Sequence, residues 1–269
     1  MSRMSRIALA LCSILASLAI ASGAPRQPAK AAAPAGPRLR ALNYDLQGAD
    51  GPLAAHRYHL LAALVMYLQP DLVALHHCRG TGPVEEENAT AALARSLGMY
   101  HAFQPYERGG VVGSAILSRF PLNASGPASV STRSPAVPGI RAQLWVRGKL
   151  LRVLALRPAS ARQSQDAARL VAAAMKGRDN PSWLLMASFS PSQAMETVKA
   201  WGRSGLQDAL VAARSSPQAT YPAASPQERL DFILLTPNLR PALRGTRVVR
   251  DQRAAALSLH LPVEATLAF

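Results

Sequence analysis

The chain has 269 residues, 49% of them hydrophobic, and a formal charge of +15 carried nearly all by arginine. Its two cysteines exclude a disulfide scaffold, and outside the first residues no apolar stretch is long enough to span a bilayer. The cation excess favours anionic partners such as nucleic acid, phosphorylated lipid head groups or an envelope surface. The alternative is arginine scattered over solvated faces, since no dense Lys/Arg run or interleaved aromatic series appears.

At the N-terminus, Arg3 and Arg6 precede an apolar run from Ile7 to Ala21 that ends in Ala19-Ile20-Ala21. This reads as a signal peptide over residues 1–21, cleaved near Ser22, which implies an exported protein, periplasmic or secreted, with no transmembrane anchor after cleavage. The run is about 15 residues against the roughly 20 of a membrane span, and Cys12 follows Leu11 where a lipoprotein site needs a small residue. Cleavage leaves about +13, the +15 less Arg3 and Arg6. Residues 22–37 are Ala- and Pro-rich without periodicity and read as a disordered linker. Residues 38–269 form the folded domain. There Cys78 is the sole thiol and closes an apolar strand, the setting of a buried, inert cysteine.

Periodicity and breakers then predict the elements in order. A strand covers Leu39 to Leu46, a helix Leu53 to Leu68 and a strand Leu72 to Leu75. A helix at about Glu85 to Leu97 carries Glu85, Glu86 and Glu87 in its first turn, where negative charge suits the helix dipole. Strands follow at Ala115 to Leu117, Ala142 to Val146 and Leu150 to Leu156. A helix from Gln163 to Met175, a strand from Trp183 to Met186 and a helix from Ser192 to Trp201 come next. Strands at Leu230 to Leu235, Arg247 to Val249 and Val263 to Phe269 end the chain. Strands outnumber helices and pair as neighbours, so two packed sheets with helices outside are expected rather than a doubly wound sheet.

Five segments in order carry a resemblance. Leu42-Asn43-Tyr44-Asp45 resembles an opening Thr-Tyr-Asn strand, and Pro70 through His77 resembles "PDVVALQE". Gly113 through Pro121 is close to "GNAILSRFP"; Thr220-Tyr221-Pro222 with Arg229 through Ile233 resembles "TFP…RIDYI", and Ser258 through Val263 resembles "SDHLPV". In these the chain resembles the endonuclease/exonuclease/phosphatase superfamily of metal-dependent nucleases, sphingomyelinases and inositol phosphatases. The resemblance implies a four-layer α-β-β-α sandwich of two mixed sheets, the DNase I-like fold, with Mg²⁺ in active members.

The departures fall on the chemistry. By that resemblance His77 replaces the metal-ligating Glu, Arg157 the catalytic His, Ser188 and Ser190 the Asp and Asn of "GDFN", Leu259 the Asp of "SDH" and Asp45 the opening Asn. Imidazole is a poor ligand for Mg²⁺, and a permanently charged guanidinium cannot shuttle a proton. What survives is Asp231 with His260, a hydrogen-bonded dyad in the family, expected here as a vestigial pair. No cofactor is expected. A divergent zinc site from Asp45, His77 and His260 is the alternative, and His76 and His77, adjacent on a strand, should face opposite ways and not share a metal. Arg157, Ser188 and Ser190 are candidates to bind an anion; equally, Arg157 pairs with an acid such as Glu107. Gly109-Gly110 and Gly113 read as a loop into a strand, and His56 and His59 as rim residues.

Three functions follow. The first is an exported pseudoenzyme that keeps the scaffold and an anion-binding cleft for a ligand or partner. The second is a divergent metal-dependent phosphoesterase or nuclease, and the third is a binder of nucleic acid or envelope surface through charge alone.

Overall fold

The computed structural model describes residues 38–47, 54–80, 89–129, 137–176, 181–216 and 218–269. The expected leader, the linker and the three-glutamate helix start lie outside them, as does the His56 side chain.

Residues Arg38–Asp45 form β1, whose inward residues Leu39 and Ala41 and outward residues Leu42 and Tyr44 are all buried, because both faces of the strand are covered. Helix α1 (Ala54–Leu68) ends before Pro70 and returns the chain to β2 (Leu72–Arg79), parallel to β1. After α2 (Ala89–Ser96) come β3 (Tyr100–Pro105), β4 (Val112–Ser118), β5 (Leu122–Ala128), β6 (Val137–Val146) and β7 (Lys149–Leu156). Helix α3 (Ala161–Met175), N-capped by Ser160, crosses to β8 (Ser182–Ser188), parallel to β7. Then follow α4 (Ala194–Arg203), β9 (Gln207–Asp208), a single turn α5 (Ala209–Ala212), β10 (Asp231–Leu235), a 3₁₀ turn, β11 (Leu243–Val248), α6 (Gln252–Leu257) and β12 (Val263–Ala268).

These strands build two six-stranded mixed sheets, ordered β11-β12-β1-β2-β4-β3 and β5-β6-β7-β8-β10-β9. Each contains one parallel pair joined through a helix, which is the connection parallel neighbours require. The sheets pack face to face over a core that includes Leu39, Ile116, Leu144, Val153 and Ile233. A second core lies between the first sheet and α1, α2 and α6, and a third, with Phe189 and Trp201, beneath α3 and α4. The architecture is the four-layer sandwich that the sequence implied.

Periodicity alone missed β3, β5, α6 and the short β9 and α5. Strand β5 is an edge strand with mostly exposed small residues and so shows no apolar alternation. Among the described residues no helix is long and apolar enough to cross a membrane. Cys78 is buried, and burial raises its thiol pKa, the environment of an unreactive cysteine.

Gly113 explains its place in the most specific motif. It pairs with Pro105 across β3 and β4, and a Cβ there would overlap the Gln104 carbonyl and the Pro105 Cα. Gly126 in β5 has open space where a Cβ would sit. Gly113→Ala is therefore expected to destabilise by about 1–3 kcal/mol through overpacking, and Gly126→Ala by no more than ~0.5 kcal/mol, in urea melts of the two variants.

Candidate functional site

The motif residues meet at one end of the sandwich, where the C-terminal ends of β1, β7 and β8 face the start of β10. Strand alternation turns Asn43 and Asp45 toward the opposite sheet. Asn43 Nδ2 donates to the carbonyls of Ala187 (2.8 Å) and Phe232 (3.2 Å), so one amide ties β1 to β8 and β10. With both amide hydrogens used, Asn43 Oδ1 must accept from His76 Nε2–H, 3.0 Å away. That fixes the tautomer and leaves Nδ1 to accept from the Ser114 hydroxyl at 3.0 Å. Burial then pushes the His76 pKa down to about 3, and the ring is a neutral structural bridge.

His77 corrects the expectation from strand alternation. The register shifts between Leu75 and Cys78, so that His76 and His77 together oppose Ser114, and His77 takes φ 49°. In such a bulge both side chains turn to the same face. His77 Nδ1 donates to Asp45 Oδ1 at 2.7 Å, its own N–H is held by the Tyr106 hydroxyl at 2.9 Å, and the two rings meet edge to face.

Asp45 is the hub. Fully buried, it accepts on Oδ1 from His77 Nδ1 and the Gln47 N–H (2.9 Å), and on Oδ2 from Arg157 Nε (3.0 Å) and Ser188 Oγ (2.7 Å). Burial would raise its pKa, but the hydrogen bond and charge of His77, together with His260 and Arg157, hold it well below the usual carboxylate range. Arg157 is 3% exposed and also donates to Ser190 Oγ (3.2 Å) and Gln47 Oε1 (3.4 Å). Its acid is thus Asp45 and not Glu107, which is exposed in the neighbouring loop. Sequence reasoning overlooked Gln47, which lies just past the matched strand and carries no titratable signal.

Asp231 Oδ2 and His260 Nδ1 are 2.9 Å apart, both side chains fully buried. The ring's other nitrogen faces Gln47 Oε1 at 3.1 Å. An imidazole with oxygen acceptors at both nitrogens favours the doubly protonated form. The His260 pKa is accordingly raised, Asp231 outweighing the burial that would lower it. Asp231 Oδ1 is buried without a partner, the one carboxylate oxygen of the site left unsatisfied. Leu259, standing for a metal-side carboxylate, points outward at 44% exposure.

These residues do not fit Mg²⁺ or Zn²⁺. Both Asp45 oxygens are saturated by donors, His260 has carboxylate and amide oxygens at its two ring nitrogens, and Asp231 Oδ1 stands alone. Among the described residues no group of three His, Cys, Asp or Glu side chains is arranged to hold an ion.

The two sheets, their order and this end-on polar site define an α/β sandwich of the endonuclease/exonuclease/phosphatase, or DNase I-like, fold. No family model and no curated protein matches the sequence. Among solved structures, a family protein from Leptotrichia buccalis superposes with TM-score 0.68 at 15% identity, over 86% of this chain and 100% of that one. One from Bacteroides vulgatus gives 0.69 at 14% identity over 86% and 99%. A Neisseria 3′ phosphatase, NExo, bound to product DNA hairpin, gives 0.64 at 16% identity over 86% and 100%.

Two measurements check the hub. Asp45→Ala strands a buried guanidinium and is expected to destabilise by about 3–5 kcal/mol, whereas adding Arg157→Met should recover part of the loss. For pH, unfolded His76 titrates near 6.5 but the folded ring only near 3, so below about pH 6.5 the unfolded chain binds more protons and stability falls, by up to ~1.4 kcal/mol per pH unit. His260 acts oppositely: its raised pKa adds stability that is complete below about 6.5 and lost as pH rises through the folded value. Denaturation midpoints should peak near pH 6.5, and His76→Gln should flatten the acid limb only.

Proposed function

We propose that this protein is an exported, non-catalytic member of its fold class, in which the metal-dependent phosphodiesterase site has become a closed polar lock. The observation that carries the reading is the saturation of Asp45: a carboxylate that already accepts from His77, Gln47, Arg157 and Ser188 has no lone pair to offer a cation. The same arrangement bears on anions. Arg157 presents its Nε to Asp45, so phosphate at this place must displace an internal carboxylate held at high effective concentration. The cleft's role is then structural, clamping β1 to the second sheet, with Ser190 and Gln47 as the rim nearest solvent. Ser188 joins the lock as a donor to Asp45, and Ser190 as an acceptor from Arg157.

The Asp231–His260 pair with its orphan Oδ1 favours one second reading, a divergent phosphoesterase using the protonated imidazole as general acid. Against it stands Ser188, which occupies the place of the water-activating carboxylate and cannot take a proton near neutral pH; the base would have to be His77 through Nε2, its Nδ1 being given to Asp45.

Purified residues 38–269 should show no turnover of bis(p-nitrophenyl) phosphate or oligonucleotides in Mg²⁺, Mn²⁺ or Zn²⁺, and no rise in melting temperature with millimolar Mg²⁺. Turnover abolished by His260→Ala would establish the second reading instead. Intact mass of the protein recovered from its native cell should begin near Ser22; a chain retaining residues 1–21 would overturn export with cleavage.

A further inference from the structure

The second sheet is longer than the helices that cover it. Helices α3 and α4 pack on Leu154, Leu156 and Leu185, toward the end of the sheet that carries the cleft. At the opposite end Trp183 still packs against this core with its Nε1 buried, and the outer face opens toward β6, where Trp145 is exposed. Pairing sets Gln143 of β6, Arg152 of β7 and Trp183 of β8 side by side in one row, with Trp145 and Leu150 paired in the next. Arg141, two residues before Gln143, belongs to the same face. The hairpin that aligns them turns at Arg147-Gly148, both at positive φ (50° and 78°), the signature of a tight primed turn.

This end of the sheet is cationic and aromatic together. Trp145 is 52% exposed, Arg141 is exposed, and the Arg152 guanidinium stands 6.0 Å above the Trp183 ring. In the sequence no Asp or Glu occurs between Glu107 and Asp166, the segment that builds β5, β6 and β7. The tryptophans are far apart in sequence and only the strand register joins them. That is why no interleaved aromatic series was visible in the linear chain.

We propose that this face, Trp145 with Arg141, Arg152 and Trp183, is a binding site for single-stranded nucleic acid, separate from the cleft. An exposed indole offers a planar surface on which any base can stack, and guanidiniums beside it neutralise the flanking phosphates; together these make a sequence-tolerant single-strand platform. Arg152 lies five residues before Arg157 on one strand, which puts the platform roughly 16 Å from the cleft. An acidic lipid surface shares the anionic chemistry. It needs apolar side chains projecting past the polar ones, whereas here Trp145 lies on a sheet face beside Arg141 and Gln143 and the Trp183 ring is capped by Arg152.

The test uses residues 38–269 and fluorescein-labelled oligo(dT), read by anisotropy and by quenching of intrinsic tryptophan emission. Binding should weaken with salt at a log–log slope of roughly −0.7 per phosphate contacted. Trp145→Ala and Arg152→Ala should each reduce affinity by at least ~5-fold, Trp145→Phe should keep most of it, and an abasic strand of the same length should bind at least ~5-fold more weakly. Arg169→Ala, which removes an exposed cation from α3, should change it less than ~2-fold. No binding, or equal binding of the abasic strand and of Trp145→Ala, would overturn the proposal. Trp145-dependent binding to phosphatidylglycerol vesicles without binding to oligo(dT) would overturn it as well, assigning the face to a lipid surface. The cleft plays no part in these readouts.

Discussion

One buried carboxylate organises the functional end of this molecule. Asp45 sits at the tip of β1, the strand at the middle of the first sheet, and receives donors from β2, from the end of β7 and from the end of β8. An ionised carboxylate in the interior is tolerable only when every lone pair is engaged and a cation compensates its charge. Arg157 supplies that compensation and is itself 3% exposed, so neither charge can be removed without stranding the other. Two residues back, Asn43 repeats the arrangement with neutral groups, tying the same strand to the Ala187 and Phe232 carbonyls. Between them the two side chains fix the sheets' relative position at the end where apolar packing gives way to polar contacts.

The chemistry of the site follows from which groups are charged. A metal-dependent phosphodiesterase keeps several carboxylates close together, and the cation they hold offsets their mutual repulsion. Here the acids of the site are Asp45 and Asp231. Each is met by protein cations, Arg157 and His260. The cluster is close to neutral without an ion. Arg157 and Asp45 thus depend on one another: without the arginine Asp45 would be an uncompensated buried charge, and with it the carboxylate's lone pairs are taken.

The fold was legible because its signals are local. Buried strands such as Leu72 to Leu75 and Phe232 to Leu235 are continuous apolar runs, and Gly113 is demanded by the backbone of β3 alongside it. The site was legible only in its membership. Which residues would gather could be read from motif order; who would bond to whom could not, because that depends on a bulge. Strand alternation sends His76 and His77 to opposite faces, and the extra residue opposite Ser114 sends both inward. Glu107 was the acid expected from its place before the Gly109-Gly110 loop, but Asp45 is the one the strand order delivers to Arg157.

The two ends of the second sheet behave differently for a related reason. Where β7 and β8 end, polar side chains converge from both sheets and satisfy one another, so charge is consumed internally. Where they begin, Trp183 of β8 remains against the third core, but the outer face is open on the β6 side and no acidic residue is contributed by β5, β6 or β7, so Arg141 and Arg152 meet no acid there. Of the protein's large positive charge, the arginine at the cleft is the one least able to meet an outside anion, being committed to Asp45. The net charge is therefore available to an outside anion not at the cleft but at surfaces where cations lack internal acids, and on the second sheet that condition is met at the end carrying Trp145.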